Sequence, residues 1–262
     1  MRQLEFGKYH GLGNDFLVLF EPVGLDLAKL ARQVCDRRRG IGADGLLTVS
    51  HEPGVTARMV LHNADGSRAE MSGNGIMCFA QAVARQTGGL ESQIIATDAG
   101  IRCVELFATD KPCTIMAAVG MGSATPIPAP DNWHVLEVDP LRPVRHLSLG
   151  NPHSVVGVDD VHAVPLAELG ALVPHINLEI IHPGPEDDAI TMRVHERGAG
   201  ITEACGTGAT AAALAAAQWG LVRAGTKEIT VHMDGGDARV RLGDELVLIG
   251  PATFVANVQI EG

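Results

Sequence analysis

Short runs of apolar residues, bounded by glycine, proline or polar residues, dominate the hydrophobic pattern of the chain. In several of them, such as residues 101–106, apolar and polar positions alternate with the period of two that a half-buried strand requires. Their short length and β-branched content are also typical of strands. The predicted strands cover residues 16–20, 57–61, 101–106, 114–119, 190–194, 229–233, 245–249 and 254–260.

Helical patterns are few. Apolar residues between Leu27 and Cys35 recur at helical spacing, which predicts one amphipathic helix. Residues 76–85 and 209–219 are alanine-rich and apolar on all sides, which predicts two buried helices. Many strands with few helices indicate an α+β fold.

Prolines cluster in residues 125–131 and recur at Pro140 and Pro143. Such a segment is typical of a connection between domains, so we expect the chain to divide near its middle. A length of 262 residues fits either one large domain or two domains of about 130 residues each.

An internal repeat supports two similar halves. Residues 59–75 match residues 192–208 at a constant offset of 133 residues without a gap, and Met, His, Glu and two Gly are identical. Each copy reads as a strand, a turn and the sequence E-x-[S/C]-G-x-G before an alanine-rich helix. A weaker echo relates residues 13–15 to residues 150–152. If a pseudo-twofold axis relates the halves, we expect the two glycine-lined helix N-termini to face one another.

Charge and composition exclude several classes of protein. The net charge of −11 argues against nucleic acid or an anionic membrane as a partner, and 46% hydrophobic residues exclude a disordered chain. The N-terminal residues lack the apolar core of a signal peptide, and residues 209–217 are too short to span a bilayer. Five cysteines without C-x-x-C spacing indicate reduced cytosolic thiols and no metal site.

The glycine motifs supply the candidate chemistry. A helix N-terminus attracts anions through unpaired N–H groups and a partial positive charge. At one motif we expect the Cys205 thiolate to be stabilised and to serve as a base or nucleophile; the alternative is a capped turn with a small buried cysteine. Ser72 takes the matching place, but a hydroxyl is a poor base, and a helix N-cap is the competing interpretation.

Other polar residues have a functional and a structural interpretation each. Glu196 and Arg197 form either a clamp for an ammonium and a carboxylate or a surface ion pair. His153 either orients an acid or base or is a satisfied loop histidine. Asn14, Asn63 and Asn151 lie in turn contexts, where asparagine is often structural. The remaining cysteines are predicted to lie in the core: Cys35, Cys78, Cys103 and Cys113.

No cofactor is expected. The four lysines, Lys8, Lys29, Lys111 and Lys227, lie away from the glycine motifs, whereas pyridoxal phosphate needs a Schiff-base lysine. The phosphate-binding motifs of ATP and NAD sites are absent from the sequence.

Together these motifs resemble the diaminopimelate epimerase family of amino-acid epimerases, which act without pyridoxal phosphate. The matching stretches span nearly the whole chain: residues 8–16, 40–45, 63–67, 73–76, 150–153, 196–200 and 204–208.

The resemblance implies two pseudosymmetric α+β domains, each a mostly antiparallel sheet wrapped around a central helix. The first domain is expected to consist of residues 1–118 and a returning strand at 251–262, and the second of residues 119–250. It also implies a cytosolic homodimer that interconverts LL- and meso-2,6-diaminopimelate for lysine and peptidoglycan synthesis.

The resemblance assigns roles by position. In the family, two cysteines act on the substrate α-carbon from opposite faces; Cys205 matches one of them, and Ser72 stands at the other. His153 and Glu196 match positions that support the chemistry. The matched substrate-binding residues are Asn14, Asn63, Gly73, Asn74, Asn151, Asn177, Glu196, Arg197, Gly206 and Thr207. Met77 stands where arginine is usual, and we expect it to alter packing.

Ser72 leaves the reaction open, because a two-base inversion needs two groups that cycle between acid and base. Three explanations fit. The chain is a natural variant that works through Ser72 or water, or its cysteine has been replaced by serine to stop turnover. In the third, it is a relative that uses Cys205 alone to eliminate water or to racemise another amino acid. We favour an epimerase by descent, with reduced or altered activity. An amino-acid-binding module without catalysis is the alternative.

Overall fold

The computed structural model describes residues 3–261 and contains two compact units. The first runs to Val119 and takes up the chain again from Gly250, and the second is Gly120–Ile249. Each boundary is one residue away from the expected one. The chain leaves the first unit inside a strand, and the proline-containing segment 125–131, expected to be the connection, lies within the second unit. Among the described residues no helix is long and apolar enough to cross a membrane.

In chain order the elements that begin in the first unit are β1 (Gln3–Gly11), β2 (Asn14–Phe20), α1 (Leu27–Val34), β3 (Gly45–Ser50), β4 (Ala57–Asn63), β5 (Arg68–Ala69), α2 (Gly73–Thr87), β6 (Gln93–Thr97), β7 (Gly100–Ala108) and β8 (Thr114–Gly122). Those that begin in the second are β9 (Thr125–Pro126), a 3₁₀ helix (Trp133–Leu136), β10 (Val144–Ser148), β11 (Pro152–Gly157), α3 (Leu166–Leu172), β12 (Asn177–Pro183), β13 (Ala189–Glu196), β14 (Gly200–Thr202), α4 (Gly206–Trp219), β15 (Glu228–Met233), β16 (Gly236–Arg241) and β17 (Leu246–Glu261).

The same ladder of strands occurs in both units. In the first, β17, β1 and β2 pair antiparallel, β2 and β3 parallel, β3 and β4 antiparallel, β4 and β6 parallel, and β6, β7 and β8 antiparallel. In the second, β9, β10 and β11 pair antiparallel, β11 and β12 parallel, β12 and β13 antiparallel, β13 and β15 parallel, and β15, β16 and β17 antiparallel. The predicted α+β fold with two similar, mostly antiparallel halves is therefore confirmed.

Each unit has one central helix, α2 or α4, that carries the repeated glycine motif. Residues 73–84 of α2 are all buried, and so is most of α4. Small residues make this burial possible, because alanine and glycine let strands pack close to the helix on every side. Both helices end at a left-handed glycine, Gly88 (φ 81°) and Gly220 (φ 71°), a conformation that side chains with a Cβ adopt at a cost.

The structure corrects several expectations about individual elements. The predicted strands 245–249 and 254–260 are one strand, β17, which begins at Leu246 and continues through Pro251. Cys103 and Cys113 are exposed rather than in the core: Cys103 lies on the outer face of β7, and Cys113 lies in the turn before β8. Cys35 and Cys78 are buried, as expected.

On the β15–β16 hairpin, His232 lies between two carboxylates and bridges them. His232 Nδ1 lies 2.7 Å from Asp237 Oδ1, and its Nε2 lies 2.9 Å from Glu186 Oε2. Both ring nitrogens donate only when the ring is charged. Burial lowers the pKa of His232, but the two carboxylates more than offset this and raise it above its ordinary 6.5.

We expect the free energy of unfolding to fall as the pH rises from 6.5 through the raised pKa of His232, since a folded state that holds its proton more tightly loses that advantage on deprotonation. Because both carboxylates are exposed, the step is at most about 1 kcal/mol. Urea unfolding below and above this interval measures it. In His232→Gln this step should disappear, and an equal step in that variant would refute the assignment.

Candidate active site

Cys205 is the N-cap of α4. Its backbone is extended (φ −133°, ψ 111°), and its Sγ accepts a hydrogen bond from the Gly208 N–H at 3.3 Å. The Thr207 Oγ1 lies 3.5 Å from the same sulfur. The side chain is buried, so its surroundings decide its proton affinity.

Burial raises the pKa of the Cys205 thiol well above 9.0, and the carboxylates of Glu196 and Glu179 raise it further. The hydrogen bonds from Thr207 and Gly208 act in the opposite direction but are the weaker influences. The Gly208 N–H at the helix N-terminus thus favours the thiolate, as expected. Desolvation and two nearby carboxylates outweigh it, so the pKa of Cys205 in the free protein is raised and not lowered.

Glu196, the last residue of β13, is the group placed to take the Cys205 proton. Its Oε1 accepts a hydrogen bond from Thr202 Oγ1 at 2.5 Å, which the antiparallel pairing of β13 with β14 makes possible. Burial raises the pKa of the Glu196 carboxyl, while hydrogen bonds with Thr202 and Cys205 lower it. The raised pKa makes the Glu196 carboxylate a better proton acceptor than an ordinary glutamate.

His153 lies in strand β11, not in a loop, and is fully buried. Its Nδ1 is 2.6 Å from Glu179 Oε1, and its Nε2 is 3.0 Å from Asn151 Oδ1. Glu179 is also fully buried, and burial raises the pKa of its carboxyl. Glu179 was not predicted from the sequence, where its signal is a lone acid within the apolar run 178–181.

Two asparagines of the second unit are engaged within it. Asn151 Nδ2 donates to Thr207 Oγ1 at 3.2 Å. Asn177 is buried; its Nδ2 donates to the Pro152 carbonyl at 3.1 Å, and its Oδ1 accepts from the Arg197 N–H at 2.9 Å. Asn177 thus fixes the backbone at Arg197, and its contact with substrate stays a prediction.

Arg197 is exposed, and the structure shows no ion pair between it and Glu196. The surface ion pair considered as the alternative for these two residues is therefore not formed. Within residues 3–261 the Arg197 guanidinium forms no ion pair.

In the first unit, Ser72 takes the place that Cys205 takes in the second. It is the N-cap of α2, with φ −140° and ψ 126°, and its Oγ accepts from the Gly75 N–H at 3.0 Å. Gly73 and Asn74 begin the helix, as Gly206 and Thr207 begin α4, and all four are buried. The N-cap interpretation of Ser72 is correct, and Cys205 has the same capping role.

Asn14 and Asn63 lie at strand ends of the first unit. The Asn14 Nδ2 donates to Asp44 Oδ2 at 2.7 Å, which leaves its amide oxygen for another partner. Asp44 in turn accepts from Arg37 at 2.7 Å. Asn63 Nδ2 donates to Ser67 Oγ at 3.0 Å. Asp44 and Arg37 were not singled out from the sequence, although Asp44 lies in a quoted motif.

Met77 is fully buried in the first unit, and its Cε would lie 3.1 Å from a Cβ at Gly250. A charged arginine in this position would have to be buried against the backbone, which is costly without a partner.

The structure thus gathers the predicted residues into two groups, each within one unit. A single series of hydrogen bonds joins His153, Asn151, Thr207, Cys205 and Glu196 in that order. Glu179 is bonded to His153 at one end of the series, and Thr202 to Glu196 at the other. Ser72, Gly73 and Asn74 share the start of α2. The first group combines an acid, a histidine and a thiol at a helix N-terminus, a set able to move a proton.

Comparison with solved structures supports the fold. A predicted epimerase from Pseudomonas aeruginosa superimposes with a TM-score of 0.77 at 14% identity, covering 98% of this chain and 99% of that one. A hydroxyproline epimerase from Agrobacterium vitis, with bound trans-4-hydroxy-L-proline, gives 0.73 at 16% identity and covers 99% and 91%.

Comparison of sequences identifies the family. A family profile described as diaminopimelate epimerase matches residues 6–127 and 146–255. A diaminopimelate epimerase from Halothermothrix orenii is 37% identical over 283 aligned positions, which cover 98% of each chain. One from Moorella thermoacetica is 37% identical and covers 96% of this chain and 97% of that one. With the acid, histidine and thiol in place in its second unit, the chain belongs to the diaminopimelate epimerase family and is an isomerase of the epimerase type.

Proposed function

We propose that the protein epimerises LL-2,6-diaminopimelate to the meso form, a precursor of lysine and peptidoglycan, by moving the α-proton. The observation that carries the proposal is the group around Cys205: a buried thiol at a glycine-lined helix N-terminus, hydrogen-bonded to Glu196. Full-length similarity to proteins named diaminopimelate epimerase supports the substrate.

Proton removal follows from the contacts of Cys205. Glu196 accepts the thiol proton, and the thiolate that forms takes the substrate α-proton and becomes a thiol again. The electron pair left on the α-carbon spreads onto the α-carboxylate, whose oxygens the N–H groups at the start of α4 stabilise. The ammonium group of a bound substrate favours the thiolate further, since an opposite charge nearby lowers a thiol pKa.

Inversion requires a proton on the opposite face of the α-carbon, and the family resemblance assigns that role to Ser72. A hydroxyl donates a proton weakly, so return of the proton through Ser72, or through water that it holds, limits the rate. The family resemblance supports a cytosolic homodimer that needs no pyridoxal phosphate.

A thiol-reactive aziridine analogue of diaminopimelate tests this function. The account predicts that it alkylates Cys205 and spares the exposed Cys103 and Cys113. Binding without alkylation of Cys205 would favour the non-catalytic amino-acid-binding module. A one-base reaction that eliminates water from another amino acid, or racemises it, is the second candidate, and the serine at position 72 is the observation in its favour.

Substrate specificity is expected to depend on Arg197. A guanidinium binds a carboxylate through two parallel hydrogen bonds, and sites built for such a group reject analogues that lack it by about 10⁴ or more. Arg197→Ala should therefore raise KM and lower kcat/KM for diaminopimelate while leaving the weak activity on alanine nearly unchanged.

Steady-state kinetics on both amino acids measure this effect, with Arg193→Ala as a matched control, because Arg193 pairs with Asp234 at 3.1 Å instead. Equal losses on diaminopimelate and alanine in Arg197→Ala would place Arg197 in the scaffold.

A further inference from the structure

The hydrogen bonds around His153 have a defined direction. An amide oxygen only accepts, so the 3.0 Å contact with Asn151 Oδ1 requires a hydrogen on His153 Nε2. The second ring nitrogen, Nδ1, shares a proton with Glu179 Oε1 at 2.6 Å. The contact with Glu179 therefore holds the ring in the orientation that aims Nε2–H at Asn151.

The hydrogen bonds continue in the same direction from Asn151 to the Cys205 sulfur. With its oxygen facing His153, Asn151 presents its NH₂ group to Thr207, whose Oγ1 accepts at 3.2 Å. The hydroxyl of Thr207 has one hydrogen, and the Cys205 Sγ at 3.5 Å is its hydrogen-bond partner among the described residues. Cys205 itself donates to Glu196. The sulfur thus receives hydrogen bonds from Thr207 and Gly208 and gives one to Glu196.

The buried position of Glu179 lowers the stability of the fold. Its side chain is fully buried, and its Oε2 has no hydrogen-bond partner within residues 3–261. A buried carboxyl oxygen without a partner destabilises the fold. Stability alone therefore does not account for a carboxyl group at this position.

We propose that Glu179 is a positioning residue for Cys205: it orients His153 and, through Asn151, directs the Thr207 hydroxyl proton onto the sulfur that takes the substrate α-proton. The proposal rests on the proposed function of Cys205 as the base. A hydrogen bond to a charged acceptor stabilises the thiolate, so the chain from Glu179 to Thr207 raises the thiolate fraction.

A purely electrostatic role for Glu179 predicts the opposite. The ionisable groups that act on the pKa of Cys205 are Glu196 and Glu179, and His153 acts on that of Glu196. As a nearby carboxylate, Glu179 raises the pKa of the thiol, so its removal alone would increase the thiolate fraction. Removal of a positioning residue decreases the thiolate fraction of Cys205. The sign of the change therefore separates the two roles.

The test is the rate of alkylation by iodoacetamide at each cysteine, followed by mass spectrometry of peptides at a fixed pH near neutrality. Below the thiol pKa this rate follows the thiolate fraction. The variants are Thr207→Val, Asn151→Leu, Glu179→Leu and the double variant Glu179→Leu/Thr207→Val. Exposed Cys103 and Cys113 serve as internal standards, and buried Cys78 reports unfolding.

We expect each single variant to slow alkylation of Cys205 about 10- to 100-fold, the equivalent of one hydrogen bond to a charged acceptor. The double variant should be no slower than the slower single variant, because both cut the same chain. The pH–rate profile of Cys205 should move to higher pH.

Faster or unchanged alkylation in Glu179→Leu overturns the proposal, and so does an unchanged rate in Thr207→Val. Alkylation of Cys78 in Glu179→Leu would show that this variant unfolds. Asn151→Leu then tests the proposal in its place, because it replaces one neutral residue by another and leaves Glu179 unchanged. No substrate is present in this measurement. A protein that shows the expected slowing but leaves diaminopimelate unchanged would refute the proposed function and not the positioning role.

Discussion

We expect Cys205→Ala to abolish exchange of the diaminopimelate α-proton with solvent. A positioned acid–base group contributes about 10²–10⁴ to a proton-transfer rate, and Cys205 is the thiol at the N-terminus of α4, in contact with Glu196 and Thr207. Deuterium uptake from D₂O, followed by NMR, measures the loss.

Two further variants separate chemistry from folding. Cys205→Ser keeps a side chain that caps the helix, as Ser72 does for Gly75, yet should lose exchange almost as completely as Cys205→Ala. Cys35→Ala removes a buried cysteine from the end of α1, and this variant should retain exchange of the α-proton. Near-parental deuterium uptake in Cys205→Ala would show that another group removes the proton.

Ser72→Cys should raise the rate of epimerisation by about 10²–10⁴, because it supplies a second group able to hold and release a proton at neutral pH. The backbone suits the change: Ser72 and Cys205 are both extended N-caps, and each accepts a hydrogen bond from the N–H three residues later, at 3.0 and 3.3 Å. The interconversion of the LL and meso forms is measured at saturating substrate.

The matched control is Ser67→Cys, which alters another serine of the first unit, the partner of Asn63, and should give no gain. An unchanged or lower rate in Ser72→Cys, with the circular dichroism of the parent, would favour a natural reaction other than epimerisation.

Much of the fold could be predicted because local patterns matched the final environment. The repeat at 133 residues anticipated both capped helices, and alanine-rich sequence anticipated their burial. The start of each helix was missed by three residues, since glycine, asparagine and threonine are weak helix formers that packing overrides. Cys103 was misplaced because a strand with two partly apolar faces does not reveal which face is buried.

The site was only partly readable. Motifs indicated Cys205, His153 and Glu196, but not the proton affinity of the thiol, which depends on burial and on carboxylates distant in the sequence. Glu179 lies 26 residues from His153 and meets it because β11 and β12 pair in parallel. Asp44 lies 30 residues from Asn14 and contacts it because β2 and β3 also pair in parallel. Such contacts come from tertiary structure and leave no local signature.

The most direct test of the account is incubation of the protein with each epimer of diaminopimelate in D₂O, following α-deuterium and the ratio of epimers together. With Cys205 as the one strong base, and a serine where the family has its second cysteine, the account predicts that one epimer acquires deuterium faster than the epimers interconvert. It also predicts that Ser72→Cys brings the two rates together. Absence of deuterium from both epimers, in a folded protein whose Cys205 still reacts with iodoacetamide, would contradict it.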